Sequence, residues 1–272
     1  MKDIIPLLQA EVKRIEHMSS ESNVRANVIR GIFLKEFGYD VKNCIEECST
    51  VKGFCDLYVP IVGNIALPIE IKSSQHPLKI TEVRQLQGYA SSKGQQFGLL
   101  TNGYEYLLAD FYIIPKPTIE GHSLESYVVF WFDIFNEKGD EKNGLKYFKY
   151  LSCQHLYKDK VTSFFSDIAQ YREWKLAKGF QKSSWTSYKS TLYRFFDYYI
   201  SHELKDEIDI ESLERVYEKI DMSVYNRFVK YLQNNQDILS TSALRNMHSH
   251  LRNMLYELEQ HNKIRIVGLG DS

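Results

Sequence analysis

The chain has 272 residues, a formal net charge of −1 and 43% hydrophobic residues. The apolar fraction is enough for a buried core and excludes an intrinsically disordered chain. The near-zero charge excludes a polycation, but it leaves open a nucleic-acid enzyme that has carboxylates at its metal and basic residues on one face.

Cysteine usage and apolar run lengths indicate the compartment. The four cysteines form no CxxC pair and have no His at zinc-finger spacing, so we expect small buried thiols in a reducing environment. The N-terminal segment mixes acids and bases, and no apolar run approaches the roughly 20 residues that span a bilayer. We therefore expect a soluble cytoplasmic protein. These cysteines are Cys44, Cys48, Cys55 and Cys153.

Two helices are predicted at the start of the chain. Residues 4–15 have helical apolar spacing, and so do residues 24–38, which end at Gly38. Three serines before the second helix are candidate caps, namely Ser19, Ser20 and Ser22.

Short strands and one helix are predicted next. The segments CDLYVPIV and NIALPIEIK flank Gly63-Asn64, which predicts a hairpin turn. Residues 80–93 predict a helix. Three more segments predict strands, FGLLTNG, YEYLLADFYI and YVVFWFDIF, with a loop containing Pro115, Pro117 and Gly121 between the last two. The expected fold of residues 1–158 is a mixed sheet flanked by helices.

The pattern changes near residue 158. Alternation almost disappears, proline is absent, and aromatic-rich helical stretches continue to the end of the chain. We expect residues 159–272 to form an all-α bundle of four or five helices.

An acid followed by Glu-x-Lys is the main chemical signal. Asp56 lies on the first strand of the predicted hairpin, and Glu70 and Lys72 lie two residues apart on the second, so both point to one face. Antiparallel pairing brings Asp56 beside them. Two carboxylates and the main-chain carbonyl of Ile71 make an all-oxygen site for Mg²⁺, with Mn²⁺ as its substitute. Lys72 is expected to orient the attacking hydroxide or to neutralise developing charge.

The plain alternative is a surface salt bridge on a strand. Against this alternative, the strand is otherwise apolar, and burying a charge pair among apolar residues costs free energy. An acid also lies on the preceding strand. A further acid, Glu21, begins a helix upstream and is predicted to reach the same metal.

The order of these residues resembles the PD-(D/E)XK nuclease fold. The motifs are the helix with Glu21, FGYD, Asp56, Glu70-x-Lys72, Gln85-x-x-x-Tyr89 and LLTNG. More narrowly, residues 1–155 are similar to the N-terminal nuclease domain of type I restriction enzyme motor subunits. One departure is that no proline precedes Asp56. No helicase motor follows, so ATP-driven translocation is not expected.

The resemblance implies roles for five residues. Asp56 and Glu70 would hold Mg²⁺, and Lys72 would assist the water. Gln85 and Tyr89 would lie beside the site. Without the resemblance, Gln85 and Tyr89 are ordinary neighbours one helical turn apart.

Two other features have plain structural interpretations. Thr101-Asn102-Gly103 predicts a tight turn between strands. His248 and His250 are two apart on a predicted helix, so they point in different directions. They are expected to be solvated or capping side chains.

Basic residues cluster at the start of the helical half. Between Arg172 and Arg194 there are six lysines and arginines and one acid, Glu173, and aromatic residues are interleaved among them. Basic side chains supply the phosphate term of DNA binding. The alternative for the aromatics is the core of the bundle. The predicted DNA-binding residues are Arg172, Lys175, Lys178, Lys182, Lys189 and Arg194.

The helical half also weakly resembles the core-binding domain of tyrosine recombinases. The run from Ser184 to Tyr188 is similar to that domain's first helix, and LRNMHSHLRNMLYELE is similar to its closing helix. No recombinase catalytic domain follows. The resemblance therefore implies a SAM-like DNA clamp and not strand exchange.

Together these features predict a Mg²⁺-dependent endodeoxyribonuclease, and the resemblance alone implies a role in bacterial or phage defence or in mobile-element biology. Its predicted partner is DNA, and a second copy of the chain or another protein stays open as a further partner. One alternative is a catalytically silent nuclease fold that binds DNA or regulates a partner. A second alternative is an RNA nuclease.

Overall fold

The structure is a computed structural model that describes residues 4–18, 20–118, 121–136, 143–204, 213–235 and 240–261. The chain divides into two compact units, Met1–Lys158 and Asp159–Ser272. The candidate cap Ser19 lies outside the described residues.

Two helices begin the first unit. Helix α1 is Ile4–Arg14. Helix α2 runs without a break from an α-helical turn, Glu21–Asn23, through a π-helical stretch, Val24–Phe33, to a last α-helical turn, Leu34–Glu36. The Ser20 hydroxyl caps α2, because it accepts a hydrogen bond from the backbone N–H of Asn23.

A six-stranded mixed sheet forms the centre of this unit. Its order is β1-β2-β3-β4-β5-β8. Strands β3 and β4 are parallel and the other neighbours are antiparallel, which confirms the predicted mixed sheet. The strands are β1 Ile45–Thr50, β2 Gly53–Val62, β3 Ile65–Ile71, β4 Phe97–Thr101, β5 Glu105–Asp110 and β8 Val128–Asp133. A separate two-stranded ribbon, β6 Pro117–Thr118 and β7 Gly121–His122, lies in the predicted proline loop.

Strand β1 was not predicted. Its sequence, IEECST, is polar because β1 is an edge strand and most of its side chains are exposed or half-buried. The pattern that marks a half-buried strand is therefore weak here. Thr50 pairs with Gly53, so Val51 and Lys52 form the turn between β1 and β2.

Helices cover both faces of the sheet. Helix α3, Val83–Ser92, follows a 3₁₀ turn, Ile80–Glu82, and makes the crossover that parallel β3 and β4 require. It lies close to β4 because Gly98 has no Cβ; a Cβ there would lie 2.8 Å from Leu86. On the opposite face, Phe33 of α2 stacks on Tyr106 of β5, with ring centroids 5.2 Å apart.

The second unit is helical throughout its described residues. An aromatic core holds it together: Phe164 packs against Phe196 and Tyr217, with ring centroids 5.0 and 4.9 Å apart. No helix in the described ranges is both long and apolar enough to cross a bilayer. The helices are α4 Thr162–Ala177, α5 Trp185–Tyr198, α6 Leu213–Glu218, α7 Met222–Asn234 and α8 Thr241–Gln260.

Candidate active site

The β2–β3 hairpin brings Asp56 and Glu70 together. Leu57 pairs with Ile69, and this register sets Asp56 opposite Glu70 on the same face of the sheet. Asp56 Oδ2 accepts a hydrogen bond of 2.7 Å from the backbone N–H of Ile71. One carboxylate is therefore tied to the backbone of the strand that carries the other.

Glu70 is buried and only half satisfied. Its side chain is 3% exposed, and Oε1 accepts a hydrogen bond of 2.6 Å from Lys72 Nζ. Its second oxygen, Oε2, is buried and has no hydrogen-bond partner among the described residues. A buried acceptor without a partner costs about 1–3 kcal/mol. Ile69 and Ile71, on the other face of β3, are buried as expected.

The surroundings make ionisation of the carboxylates unfavourable. Burial raises the pKa of Glu70 to about 7, and the charge of Asp56 adds to this while the hydrogen bond from Lys72 opposes it. Burial also raises the pKa of Asp56, against the Ile71 N–H and the charges of Lys72 and Arg25, which lower it. A cation between the carboxylates would offset the cost of ionising both.

Lys72 keeps its proton in this setting. Burial alone would lower the pKa of Lys72, but the hydrogen bond to Glu70 and the charges of Glu70, Glu21 and Glu82 outweigh it and raise that pKa. The side chain is therefore a fixed positive charge beside Glu70 at neutral pH.

Two residues of α2 influence this site. Glu21 is exposed, and its charge acts on Glu70 and Lys72. Even so, no three His, Cys, Asp or Glu side chains within the described part of the chain gather into a metal-holding group. Arg25, four residues after Glu21, lowers the pKa of Asp56 and forms an ion pair with Glu46 at 3.4 Å. The sequence analysis did not single out Arg25, and its i+4 spacing from Glu21 is the signal that could have found it.

Gln85 and Tyr89 lie beside the carboxylates on α3. The Gln85 amide donates a hydrogen bond to the Tyr89 hydroxyl. Tyr89 is buried, and its hydroxyl lies 3.9 Å from where a Cβ on Gly53 would stand, at the start of β2. Burial raises the pKa of Tyr89, and the charges of Glu70 and Asp56 contribute to this.

The Thr101-Asn102-Gly103 segment is a buried turn between β4 and β5. Asn102 Oδ1 accepts hydrogen bonds from the backbone N–H groups of Tyr104 and Glu105 at 2.9 and 2.7 Å. Gly103 has a φ of 86°, a conformation that favours glycine. The same segment supports the site strand, because the Lys72 N–H donates to the Thr101 carbonyl at 2.8 Å.

In the second unit, several of the predicted DNA-binding cations contact neighbouring side chains. Lys178 Nζ donates to both oxygens of Glu257 at 2.7 Å, and Arg172 Nε donates to Glu173 at 2.9 Å. The ammonium of Lys175 lies over the rings of Tyr171, Phe180 and Tyr188, between 5.1 and 6.0 Å from their centroids.

The remaining three basic residues differ in exposure. Lys189 lies over Tyr193 at 5.4 Å, and burial, with a contribution from Arg172, lowers its pKa to about 8. Lys182 is exposed and Arg194 is half-buried. The predicted basic segment is thus partly neutralised within its own unit.

One prediction for the helical half needs correction. His250 is buried and stacks on Tyr188 with ring centroids 3.6 Å apart, and His248 is half-buried and contacts Met222, so neither is a fully solvated or capping side chain. Burial lowers the pKa of both histidines. Tyr193 is buried, so much of the aromatic content is core, as the alternative interpretation of these aromatics predicted.

No family model, curated protein or solved structure matches the chain. The function of the site has therefore to be inferred from the geometry of Asp56, Glu70, Lys72, Gln85 and Tyr89.

Proposed function

We propose that the protein is a metal-dependent nuclease of the PD-(D/E)XK kind that hydrolyses DNA. The observation that carries this proposal is the buried carboxylate of Glu70, whose Oε2 has no hydrogen-bond partner among the described residues. It lies opposite Asp56 and beside Lys72. A structural salt bridge does not need a second acid or an unsatisfied oxygen.

The donor set fits a hard divalent cation. Asp56, Glu70 and the carbonyl of Ile71 would hold it with oxygen atoms, which suit Mg²⁺ and Mn²⁺. When bound, such a cation polarises a phosphate oxygen and lowers the pKa of a bound water. Glu21 is exposed on α2, and we propose it as an outer acid of the same site.

The chain's own groups would position the reactants. The hydrogen bond from Ile71 N–H orients the Asp56 carboxylate before any ligand arrives. Lys72 keeps its proton, so it would act as a cation that neutralises charge on the phosphate and not as the general base. Gln85 is exposed and would contact the substrate at the edge of the site, and the buried Tyr89 would hold Gln85 in position by accepting its hydrogen bond.

The second unit is proposed to bind DNA. Lys182 is exposed on it, and Lys178 is 60% exposed although it is paired with Glu257. A phosphate that approaches this face would compete with Glu257 for Lys178. The contribution of this unit to DNA affinity would not depend on the DNA sequence and would weaken as the salt concentration rises.

The test is a cleavage assay on plasmid, linear duplex, single-stranded DNA and RNA, each with Mg²⁺, Mn²⁺ or EDTA. We expect DNA cleavage with either metal and none in EDTA. The matched pair is Glu70→Gln, which removes a proposed ligand, and Glu36→Gln, an exposed glutamate at the end of α2. Cleavage in EDTA, or by Glu70→Gln at the wild-type rate, would overturn the mechanism, and a preference for RNA would reassign the substrate.

A catalytically silent DNA-binding protein is the second candidate. It is favoured by the absence of a three-ligand cluster in the described ranges and by the direct Lys72–Glu70 ion pair. Calorimetric titration with Mn²⁺ separates the two: binding that is lost in both Asp56→Asn and Glu70→Gln supports the enzyme. DNA binding without metal binding supports the silent fold.

A further inference from the structure

A groove of about 870 Å³ opens between the β1–β2 turn and helix α3. Its size falls in the range of about 300–1,000 Å³ that is typical of ligand sites. Lys52 and Arg84 bring positive charge from opposite walls, and no described carboxylate lines it. The other lining residues are mostly polar, among them Gln85, Gln87, Ser91 and Ser92 of α3.

The groove adjoins the proposed catalytic site. Gln85 lines it and also donates to the Tyr89 hydroxyl. The charges of Glu70 and Asp56 contribute to the raised pKa of Tyr89. The groove and the carboxylates are therefore linked through one pair of side chains on α3.

An exposed aromatic side chain lies between the turn and the carboxylates. Phe54 is 66% exposed, and it precedes Asp56 by two residues on β2, so both point to one face, roughly 7 Å apart along the strand. Val51, at the tip of the turn, is 88% exposed. Exposed aromatic side chains that alternate with cations are the usual surface for unpaired bases and their phosphates.

We propose that this groove binds the phosphodiester strand that flanks the cut. Lys52 and Arg84 contact its phosphates, the amides and hydroxyls of α3 donate to phosphate oxygens, and Phe54 stacks on a base next to the scissile bond. The ligand class is a single strand of nucleic acid or the frayed strand of a duplex. The assignment rests on the proposed function only for the position of the cut.

Hydrogen bonds within the β1–β2 turn fix the position of Lys52 in the groove wall. The Thr50 hydroxyl donates to the Gly53 carbonyl at 2.9 Å and accepts from the Lys52 N–H at 3.2 Å. Lys52 also packs against α3, where a Cβ on Gly88 would lie 3.2 Å from its side chain. Lys52 is thus presented by a short hydrogen-bonded turn, which limits the entropy lost on binding.

The test measures binding of a fluorescent single-stranded DNA in EDTA, with duplex DNA and single-stranded RNA as further arms. The variant K52E/R84E is compared with K35E/K42E, which makes the same charge change at two exposed lysines outside the groove. We expect K52E/R84E to bind about tenfold or more weakly. Because two phosphate contacts are lost, the slope of log affinity against log salt should fall by about 1.4. K35E/K42E should stay within about twofold of wild type.

Phe54 gives an independent readout. Phe54→Ala should lose about tenfold in affinity for single-stranded DNA, and Phe54→Tyr should restore it, because only the ring is needed for stacking. Val62→Ala, at a similarly exposed apolar residue at the other end of β2, is the control. Melting temperatures of all variants report on folding.

Three results would overturn the proposal. Wild-type protein that binds none of the three nucleic acids leaves the groove without its ligand. Equal losses in K52E/R84E and K35E/K42E assign binding to overall charge, and an unchanged affinity in K52E/R84E removes the groove from the interface. Since EDTA prevents metal chemistry, a protein that binds through the groove but never cleaves contradicts the nuclease and leaves this proposal standing.

Discussion

Asp56 accepts a hydrogen bond from the backbone N–H of Ile71, the residue between Glu70 and Lys72. This contact fixes a β2 side chain against the β3 segment that carries the other two proposed site residues. A side chain amide oxygen accepts the same bond, so the fold-supporting part of Asp56 can be separated from its charge.

Asp56→Asn is therefore the cleanest test of the first proposed ligand. The variant keeps an acceptor for the Ile71 N–H. Its free energy of unfolding should therefore lie within about 1 kcal/mol of the wild-type value. Cleavage should fall by several orders of magnitude, because a ligand worth several kcal/mol in the transition state is lost. Urea unfolding and cleavage rates check both parts. A variant that cuts normally would show that Asp56 only supports the hairpin.

Divalent-metal affinity should depend on pH through Glu70. Burial raises the pKa of Glu70 to about 7, so below this pH a metal must displace a proton. The apparent Mn²⁺ dissociation constant should rise as pH falls below 7, approaching about tenfold per pH unit. Titration calorimetry at several pH values measures this and the proton released. A flat profile between pH 5 and 7 would place the metal elsewhere.

The metal-free protein should lose stability as pH rises. The folded pKa of Glu70, about 7, lies above its ordinary value of 4.5, so the folded state binds more protons between these values. Its contribution is fully present below about pH 4.5 and is lost as pH rises through 7, by on the order of 3 kcal/mol. Urea unfolding of wild type and Glu70→Gln between pH 5 and 8 tests this. The variant should show the smaller decline; parallel curves would contradict the assignment.

Tyr89→Phe tests the helix beside the site. The ring is buried and remains, while the hydroxyl that accepts from Gln85 is removed. We expect a fall in cleavage of about tenfold with little change in melting temperature. Gln85→Ala should also lower the cleavage rate. Its melting temperature should change little, because Gln85 is exposed and contributes little to the core. Wild-type behaviour of both variants on every substrate would limit Gln85 and Tyr89 to a structural role.

Tests of the second-unit lysines need substitutions that do not introduce repulsion with the side chains that these lysines contact. A glutamate at position 178 would face Glu257, so loss of binding in a Lys→Glu variant would mix instability with lost charge. The variant K175Q/K178Q/K182Q avoids this. It should weaken DNA binding across all sequences and lower the salt slope by up to about 2.7, at 0.9 per contact. Unchanged affinity would indicate that these lysines serve packing and ion pairing, and would favour a partner-binding role for the unit.

Local patterns in the sequence determined the hairpin and the shared face of its acids. Alternation along β2 and β3, with Gly63-Asn64 between them, predicts the pairing that places Asp56 opposite Glu70. A one-residue slip would turn Leu57 and Ile69 to the other face, so the register follows from burial. The change to continuous helical stretches likewise predicts the helical C-terminal region. These features depend on residues that are close in sequence.

Only the tertiary structure decided how buried and how well paired each group is. The exposure of Glu70, its unsatisfied oxygen and its raised pKa depend on helices and strands distant along the chain. The same holds for the pairing of Lys178 with Glu257, 79 residues away, which no count of basic residues predicts. Strand β1 and the groove beside it were missed because an exposed polar edge strand has no buried face to create a period in its sequence. Desolvation and long-range pairing are properties of the packed chain, and they separate the charged residues of the proposed site from those that form ion pairs within the fold.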